Sequence, residues 1–362
     1  MIRIAIIGCG VVGAAIAYEL SLIEGLDITL LDRKTPASGS TGAALGVLMG
    51  TISHKTKGRA WQLRSASMRR YATLIPELEA ITKQTIPHNR HGIVKLRFAG
   101  EKLAKWEKLQ QLRRQEGWQL EIWDAAQLKV KCPQVENERV VGGIYSPQDL
   151  QINPVALTQA LVAAAQMRGV RTLFGVKLEQ ILTQGNRCTG IQTTAGNLAV
   201  DWLIISAGLG STNLTSSLEQ PLDLRPVLGQ AIQVKLPYSL GNPQFQPVIT
   251  GEDLNIVPIA ENEYWIGATV EFADESGEVV ANTALLEQMK QQAISFCGDL
   301  AHASIISSWS GKRPRPEGRS APIIEQSPAY PNLILATGHY RNGVLLAPAT
   351  ALNIRELIVS KI

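Results

Sequence analysis

The sequence predicts an α/β fold divided between two domains. Its 362 residues exceed the roughly 250–300 residues at which a single hydrophobic core stops growing. Two apolar runs near the start are rich in aliphatic residues and do not alternate with polar ones, as is typical of parallel strands buried on both faces. A helical stretch separates these runs, and 45% hydrophobic with 18% charged residues is the composition of a globular protein.

The two runs and the helix between them form a βαβ unit. Ile2–Ile7 predicts the first strand, and a helix over 14–23 follows a glycine turn. A second strand over 27–31 ends at Asp32. The fingerprint of dinucleotide binding in a Rossmann-like fold is, in this order, a strand, a glycine turn, a helix, a strand and an acidic residue. The turn itself reads Gly8-Cys9-Gly10-Val11-Val12-Gly13.

Each glycine of this turn has its own physical task. Gly8 allows the tight turn, Gly10 lets the backbone approach a pyrophosphate, and Gly13 lets the helix pack closely on the strand. The helix begins at the turn, so its free N–H groups and positive dipole end face the phosphates. Asp32 follows Gly13 by about 20 residues, the separation expected for the acid that binds the ribose. An acid there disfavours the 2′-phosphate of NADP, whereas FAD and NAD both remain compatible with the unit.

Apolar periodicity and end signals predict further helices over 60–83, 101–115, 153–169 and 285–296, with a short one after Asp124. Pro76 predicts a kink or break in the first of these. Asn153 is the expected N-cap of the third, and Pro154 its first residue.

Strands are predicted over 170–174, 176–182, 187–194 and 198–206, the last three antiparallel. The last leads into a glycine turn at Ala207-Gly208, where a cofactor could touch backbone. Prolines over 220–247 predict a crossing into the second domain, followed by strands over 256–259 and 264–270. A final strand over 333–336 leads through another glycine turn into a terminal helix.

Charge and cysteine usage exclude several classes of function. Lys and Arg number 35 against 31 Asp and Glu, and no basic cluster marks a nucleic-acid partner. The densest basic stretch, 55–70, predicts a solvated helix face. Four cysteines without a Cys-x-x-Cys pair indicate neither a disulfide framework nor a zinc site, and the histidines show no metal-ligand spacing. No uncharged apolar segment reaches about 18 residues. We therefore expect a cytoplasmic protein without a metal or a transmembrane segment, and interpret the apolar run over 4–17 as structure rather than a signal peptide.

The chain resembles the D-amino-acid oxidase (DAO) family of flavoproteins, and within it the glycine oxidases, over nearly its whole length. The resemblance rests on the first glycine turn and on four later segments. The most specific of these is 338–348, which reads Gly-His-Tyr-Arg-Asn-Gly-Val-Leu-Leu-Ala-Pro; the others lie at 40–48, 149–154 and 310–314.

The resemblance implies non-covalent FAD between two domains. A discontinuous FAD-binding domain of the Rossmann-like, glutathione-reductase type would comprise 1–85, 145–228 and 315–362. An antiparallel-sheet α+β substrate domain would comprise 86–144 and 229–314. Together with the first glycine turn, the resemblance implies a set of residues that bind FAD. These residues are Gly8, Gly10, Val11, Val12, Gly13, Asp32, Arg33, Ser40, Thr41, Ala43, Ala44, Gly46, Leu48, Val176, Ala207, Gly208, Gly338, His339, Tyr340, Arg341, Asn342, Gly343, Val344 and Leu345.

Three residues are the candidates for substrate contact. Arg313 matches the family's carboxylate-binding arginine, and a guanidinium pairs with a carboxylate through two parallel hydrogen bonds. Arg341 is a second candidate for the same pocket, and Asn255 stands where glycine oxidases place a tyrosine. The implied reaction is hydride transfer from a small amine or amino acid to the flavin. The resulting imine hydrolyses to an oxo acid, and oxygen or another acceptor reoxidises the flavin.

Several alternatives keep the same fold. The substrate could be a sarcosine-like N-methyl amine, a 2-hydroxy acid or an aminomethyl group of tRNA, or the chain could be a flavoprotein subunit without its own substrate. The weak basic balance disfavours tRNA, and the segment 338–348 disfavours an NAD-dependent dehydrogenase. The resemblance is also compatible with a homo-oligomer.

Overall fold

A computed structural model of the protein describes residues 1–216, 218–219, 221–274 and 278–361. Its strands are β1 (Ile2–Ile7), β2 (Leu26–Asp32), β3 (Val47–Leu48), β4 (His88–Asn89), β5 (Ile93–Phe98), β6 (Glu121–Asp124), β7 (Val140–Ser146), β8 (Leu150–Ile152), β9 (Arg171–Phe174), β10 (Leu178–Gln184), β11 (Arg187–Thr193), β12 (Gly196–Ala199), β13 (Trp202–Ile205), β14 (Leu224–Lys235), β15 (Val248–Gly251), β16 (Leu254–Ala260), β17 (Glu263–Gly267), β18 (Glu271–Phe272), β19 (Ser304–Pro316), β20 (Ile323–Gln326) and β21 (Leu333–Thr337).

The helices are α1 (Val11–Ser21), α2 (Gly58–Thr82), α3 (Leu103–Gln115), α4 (Ala125–Lys131), α5 (Pro154–Met167), α6 (Gly210–Thr215), α7 (Thr283–Phe296) and α8 (Gly343–Val359), with a 3₁₀ helix at Gly298–His302. No helix in these described ranges is long and apolar enough to cross a bilayer.

A six-stranded sheet carries the predicted βαβ unit. Its strand order is β20-β21-β13-β1-β2-β9. All neighbours are parallel except β20 and β21. Buried residues of β1, α1, α2, α5 and α8 share one hydrophobic core, in which α1 packs against both α5 and α8. The apolar, non-alternating runs are thus buried strands, as predicted.

A larger sheet is almost wholly antiparallel. It runs β18-β14-β17-β16-β15-β5-β7-β6, with β19 paired along β14. The exception is the parallel pair of β15 and β5. Two three-stranded antiparallel sheets, β10-β11-β12 and β3-β8-β4, complete the fold. The α/β fold with a second, antiparallel sheet is therefore confirmed.

The end signals of two helices act as predicted. The side chain of Asn153 accepts hydrogen bonds from the backbone N–H groups of Val155 and Ala156, and Pro154 begins α5. Asp124 caps α4 in a reciprocal pair with Gln127. Pro76, by contrast, does not end α2, which continues to Thr82.

The predicted strand over 198–206 is wrong. The chain forms two strands there: β12 pairs antiparallel with β11, whereas β13 lies parallel between β1 and β21. Asp201 separates them, and its carboxylate accepts hydrogen bonds from the backbone N–H and the guanidinium of Arg3. This anchor at the start of β1 turns the chain from one sheet into the other.

The proline-rich segment 220–247 is more than a crossing. It contains β14, which pairs with β19 from Leu224 opposite Pro316 to Lys235 opposite Ser304. Pro226 lies near the start of β14, where a strand tolerates proline. The boundaries 228/229 and 314/315 fall inside this pair of strands, and the division into two domains stays a prediction.

Candidate active site

A cavity of about 1110 Å³ lies at the carboxyl ends of β1, β2, β13 and β21. This edge is where open α/β sheets bind ligands. Residues of β14, β16 and β19 line the same cavity, so the larger sheet contributes a second wall.

Two positions of the first glycine turn can be occupied only by glycine. Gly8 has a φ of +105°, and a Cβ there would lie 2.6 Å from the carbonyl oxygen of Ser206. A Cβ on Gly13 would lie 1.9 Å from the carbonyl oxygen of Gly8. The close contact of helix and strand therefore fixes the start of α1 at the cavity. N-cap Gly10 has no side chain, and the first turn of α1 holds no acidic residue.

Two side chains brace this turn. Asp32, at the end of β2, accepts hydrogen bonds from the backbone N–H groups of Cys9 at 2.7 Å and Lys34 at 2.8 Å. Thr41 accepts one from the N–H of Val11 at 3.1 Å. A carboxylate has about four acceptor positions, so Asp32 keeps acceptor capacity for a ribose hydroxyl.

The segment after β2 is tied to the larger sheet. Ser40 donates to the carbonyl of Lys312 at 2.6 Å, and Trp309 donates to the carbonyl of Ala43 at 3.1 Å. Gly311 permits this approach, since a Cβ there would lie 2.3 Å from the Cβ of Ala43. These contacts hold 40–43 between the two walls of the cavity.

A buried carboxylate shapes the next part of the wall. Asp149 accepts hydrogen bonds from the backbone N–H groups of Gly50, Thr51 and Ile52 at 2.9, 2.8 and 2.8 Å. Burial raises its pKa, and the three backbone donors oppose that rise. Met49, at the start of this loop, lines the cavity.

The last glycine turn places the start of α8 at the cavity. Gly338 and Tyr340 have φ values of +65° and +51°. The N-cap Asn342 makes no side-chain capping hydrogen bond, and the first turn of α8 holds no acidic residue. The N–H groups and positive dipole end of α8 are therefore available to a ligand.

His339 in this turn is a structural residue. It is buried, and its Nε2 lies 2.9 Å from the hydroxyl of Thr350. That hydroxyl donates to the carbonyl of Leu346, so it accepts from His339. Burial lowers the pKa of His339 to about 3, which keeps the imidazole neutral.

Arg313 brings a cation without a carboxylate partner to the cavity. Its Nη1 donates to the carbonyls of Leu228 at 3.0 Å and Thr269 at 3.1 Å. No carboxylate lies within 4.0 Å of its guanidinium in the described ranges. The guanidinium rests against Gly229, where a Cβ would lie 2.2 Å from Nη2. Burial, and then the charge of Arg341, lower the pKa of Arg313.

The other two candidates are engaged differently. Arg341 forms an ion pair with Asp253 at 3.0 Å. Asn255 donates to the carbonyl of Gly267 at 3.2 Å, and its Oδ1 is buried and has no partner in the described structure. Both residues line the cavity, so all three candidates for substrate contact lie together.

A family model described as DAO, FAD dependent oxidoreductase, matches residues 3–357. The chain belongs to the DAO family. FAD is the cofactor of this family, and its members are oxidoreductases.

Two relatives are similar along the whole chain. The bifunctional protein ThiO/ThiG of Nostoc sp. is 33% identical over 360 residues, which cover 99% of this chain and 53% of that protein. Glycine oxidase of Geobacillus kaustophilus is 27% identical over 359 residues, 99% of this chain and 93% of that one. The chain thus spans about half the length of the ThiO/ThiG relative.

The crystal structure of the Geobacillus kaustophilus glycine oxidase has a similar fold. It superposes with a TM-score of 0.88 at 26% identity, covering 99% of this chain and 95% of that one. The fold and the family therefore agree.

The residues of the cavity fit FAD. The glycines of the first turn leave space that a Cβ would fill, and the start of α1 supplies N–H groups for a pyrophosphate. Asp32 retains acceptor capacity for the ribose. Val176 donates its N–H to the carbonyl of Asp32, so its own carbonyl is the backbone group it can offer to adenine. The start of α8 supplies a second set of N–H groups, suited to a flavin edge that becomes negative on reduction.

Of the residues predicted to hold the cofactor, two lie behind the wall. Gly13 is packed against the backbone of Gly8, just after β1, and Leu48 is fully buried in the hydrophobic core. The remaining ones all line the cavity: Gly8, Gly10, Val11, Val12, Asp32, Arg33, Ser40, Thr41, Ala43, Ala44, Gly46, Val176, Ala207, Gly208 and all eight of 338–345.

Several lining residues were not predicted from the sequence, among them Met49, Arg64, Gly229 and Asp253. The interpretation of 55–70 as a solvated face is wrong for two of its arginines. Arg64 faces the cavity, and Arg70 is half-buried in ion pairs with Glu19 and Glu77.

Proposed function

We propose that the chain catalyses the FAD-dependent oxidative deamination of a small amino acid or amine. The observation that carries this proposal is Arg313, a half-buried guanidinium in the cavity wall without a carboxylate partner in the described ranges. A desolvated cation of this kind calls for an anion, and a planar guanidinium suits a carboxylate. The names of the relatives support the same class, because glycine oxidase is among them.

Arg313 and Arg341 have different partners, and we assign them different roles. Arg341 already pairs with Asp253, whereas the Nη1 of Arg313 is anchored by two backbone carbonyls. These bonds orient the guanidinium and leave its charge without a carboxylate counterpart. We therefore assign the substrate carboxylate to Arg313, and to Arg341 a role at the cavity surface.

Bound FAD supplies the acceptor for a hydride from the substrate carbon that bears the amine. The protein's part is to orient that carbon and to exclude water. Arg313 fixes the carboxylate end of the substrate. The neutral imidazole of His339 is hydrogen-bonded to the hydroxyl of Thr350, so we assign it no proton transfer. The substrate loses a hydride from carbon and a proton from nitrogen, and water converts the imine to an oxo acid and ammonia.

The test compares amino acids with amines of the same shape that lack the carboxylate. Flavin bleaching and turnover are measured for glycine against methylamine and for D-alanine against ethylamine. Arg313→Met should lower kcat/KM for the amino acids by about 30-fold or more, the cost of removing one partner of a buried charge pair. The same substitution should change kcat/KM for the amines little.

Arg315→Met is the matched control. Arg315 lies on the same strand but does not line the cavity, and it pairs with Glu317. Equal losses for amino acids and amines in Arg313→Met would exclude the carboxylate assignment. A flavin that no member of the panel reduces would contradict the proposed reaction itself.

A further inference from the structure

Arg64 is a second uncompensated cation in the cavity wall. It lies on α2 and is half-buried. Its Nη1 donates to the carbonyl of Ala60 at 3.0 Å, and its Nη2 reaches the Oδ1 of Asn342 only at 3.5 Å. Its Nε is buried and has no hydrogen-bond partner among the residues that the structure describes. Both of its contacts are thus to neutral oxygens, and one of them is long.

The absence of an acid sets Arg64 apart from the other buried arginines of α2 and α3. Arg70 pairs with Glu19 and Glu77, and Arg113 pairs with Glu116. No carboxylate lies within 4.0 Å of Arg64 in the part of the chain that the structure describes. A cation that is removed from water without a counter-charge is costly, and burial accordingly lowers its pKa. A bound anion would offset that cost.

The position of Arg64 indicates which anion this is. Asn342, its neighbour, is the N-cap of α8, whose first turn is uncapped and free of acids. The pyrophosphate is expected instead at the start of α1, where Gly10 and Thr41 face the cavity. Arg64 and the start of α8 therefore place two sources of positive potential at the same part of the wall, beside Asn342.

We infer that Arg64 contacts the flavin of bound FAD and stabilises the negative charge that the ring acquires on reduction. Uptake of two electrons and one proton turns the neutral oxidised ring into an anion. A cation beside the ring favours that form over the oxidised one. The inference rests on the cofactor of the family and not on the proposed substrate.

The test measures the flavin directly, without a substrate. Sulfite adds to oxidised flavin and leaves a negative ring, so its Kd reports stabilisation of that charge. The holoprotein is titrated with sulfite, and its midpoint potential is measured by dye-coupled reduction. Arg64→Gln should weaken sulfite binding by about tenfold or more, as expected for the loss of a hydrogen bond to a charged group. The potential should fall by about 30 mV for each tenfold change.

Two further variants make the result specific. Arg64→Lys keeps the charge and should retain most of the sulfite affinity and the potential. Arg69→Gln is the matched control, because Arg69 lies on the same helix and also donates to a backbone carbonyl, that of Glu116, but does not line the cavity. It should leave both quantities unchanged.

Three results would overturn the inference. One is an Arg64→Gln protein whose sulfite Kd and potential stay within twofold of the wild type. Another is a raised KM for amino acids at unchanged potential, which would assign Arg64 to the substrate. The third is a wild-type protein that binds no added FAD. Normal sulfite titrations without turnover of any amine would contradict the proposed function alone.

Discussion

Gly229 sets the position of the Arg313 guanidinium, and its replacement by alanine tests the carboxylate site without altering a charge. A Cβ at Gly229 would lie 2.2 Å from Nη2 and 2.5 Å from both Cζ and Nη1 of Arg313. Gly229 has no positive φ, so alanine fits the backbone, and the three atoms nearest to its Cβ all belong to the guanidinium.

The size of the effect follows from these distances. Carbon contacts below 3.0 Å are essentially never seen, so the guanidinium has to retreat by about 1 Å, and a misplacement of that size costs about a hundredfold in rate. The bonds to Leu228 and Thr269, now 3.0 and 3.1 Å, would then exceed hydrogen-bond length. We expect kcat/KM of Gly229→Ala for amino acids to fall about a hundredfold, which is roughly 2.7 kcal/mol of transition-state stabilisation.

The assay is a double-mutant cycle that combines Gly229→Ala with Arg313→Met. For each protein, kcat/KM for glycine and the FAD content are measured. If Gly229 acts through the guanidinium, alanine should have little further effect once Arg313 is replaced. Gly298→Ala is the control, since the nearest atom to its Cβ would be 3.4 Å away and it does not line the cavity. Full activity in Gly229→Ala, or additive losses in the double mutant, would refute this account.

Three other outcomes follow from single contacts. His339 has a folded-state pKa of about 3 against about 6.5 unfolded, so the unfolded state binds more protons between these values and stability falls as pH drops from 6.5 towards 3. As the pH falls through that window, the free energy of unfolding, measured by thermal denaturation, should fall by about 1.4 kcal/mol less per pH unit for His339→Gln than for the wild type. Equal slopes of this free energy against pH would contradict the assignment of a neutral imidazole. Asp149→Ala leaves three backbone donors unpaired and should lower the free energy of unfolding by about 3 kcal/mol or more in urea; a loss below about 1 kcal/mol would show that the loop adapts. Gly8→Ala combines a φ of +105° with a backbone clash and should yield protein without FAD. Gly25→Ala, at φ +82° with open space around it, should keep its FAD at a modest cost in stability. Retention of FAD by both variants would contradict the role of the first glycine turn in FAD binding.

The start of the fold is predictable because its signals are local. The turn from Gly8 to Gly13 lies between two strands, and the structure places the strands and α1 as expected, although α1 begins at Val11 rather than at residue 14. The last glycine turn could be assigned to the cofactor only through the family resemblance, since its own pattern of residues is compatible with other ligands.

The wall contributed by β14 could not be predicted from the sequence. Its pairing with β19 joins residues some 80 positions apart, and no local pattern records such a register. Prolines in the same segment predict a crossing into the second domain, and nothing in that pattern distinguishes Gly229. Long-range pairing, not local preference, brings Gly229 to Arg313.

Arg64 did leave a trace in the sequence. It follows Trp61 by one helical turn and precedes Met68 by another, and both of those residues are buried. An arginine inside an apolar stripe of a helix is a candidate for a buried role, because the 3.6-residue period turns it towards the interior. The number of basic residues in 55–70 does not show which side of the helix each of them faces, so it does not distinguish Arg64 from the exposed ones.

The packing of α8 against α1 has a consequence for the order of events during synthesis. The start of α1 and the start of α8 face the same cavity, yet α8 leaves the ribosome roughly 330 residues later, an interval of some 15–60 s at typical elongation rates. Throughout that interval the buried sides of α1, from Val11 to Leu20, lack one of the helices that cover them. We therefore expect nascent chains to bind chaperones through α1 and to acquire the flavin only after translation of α8 is complete.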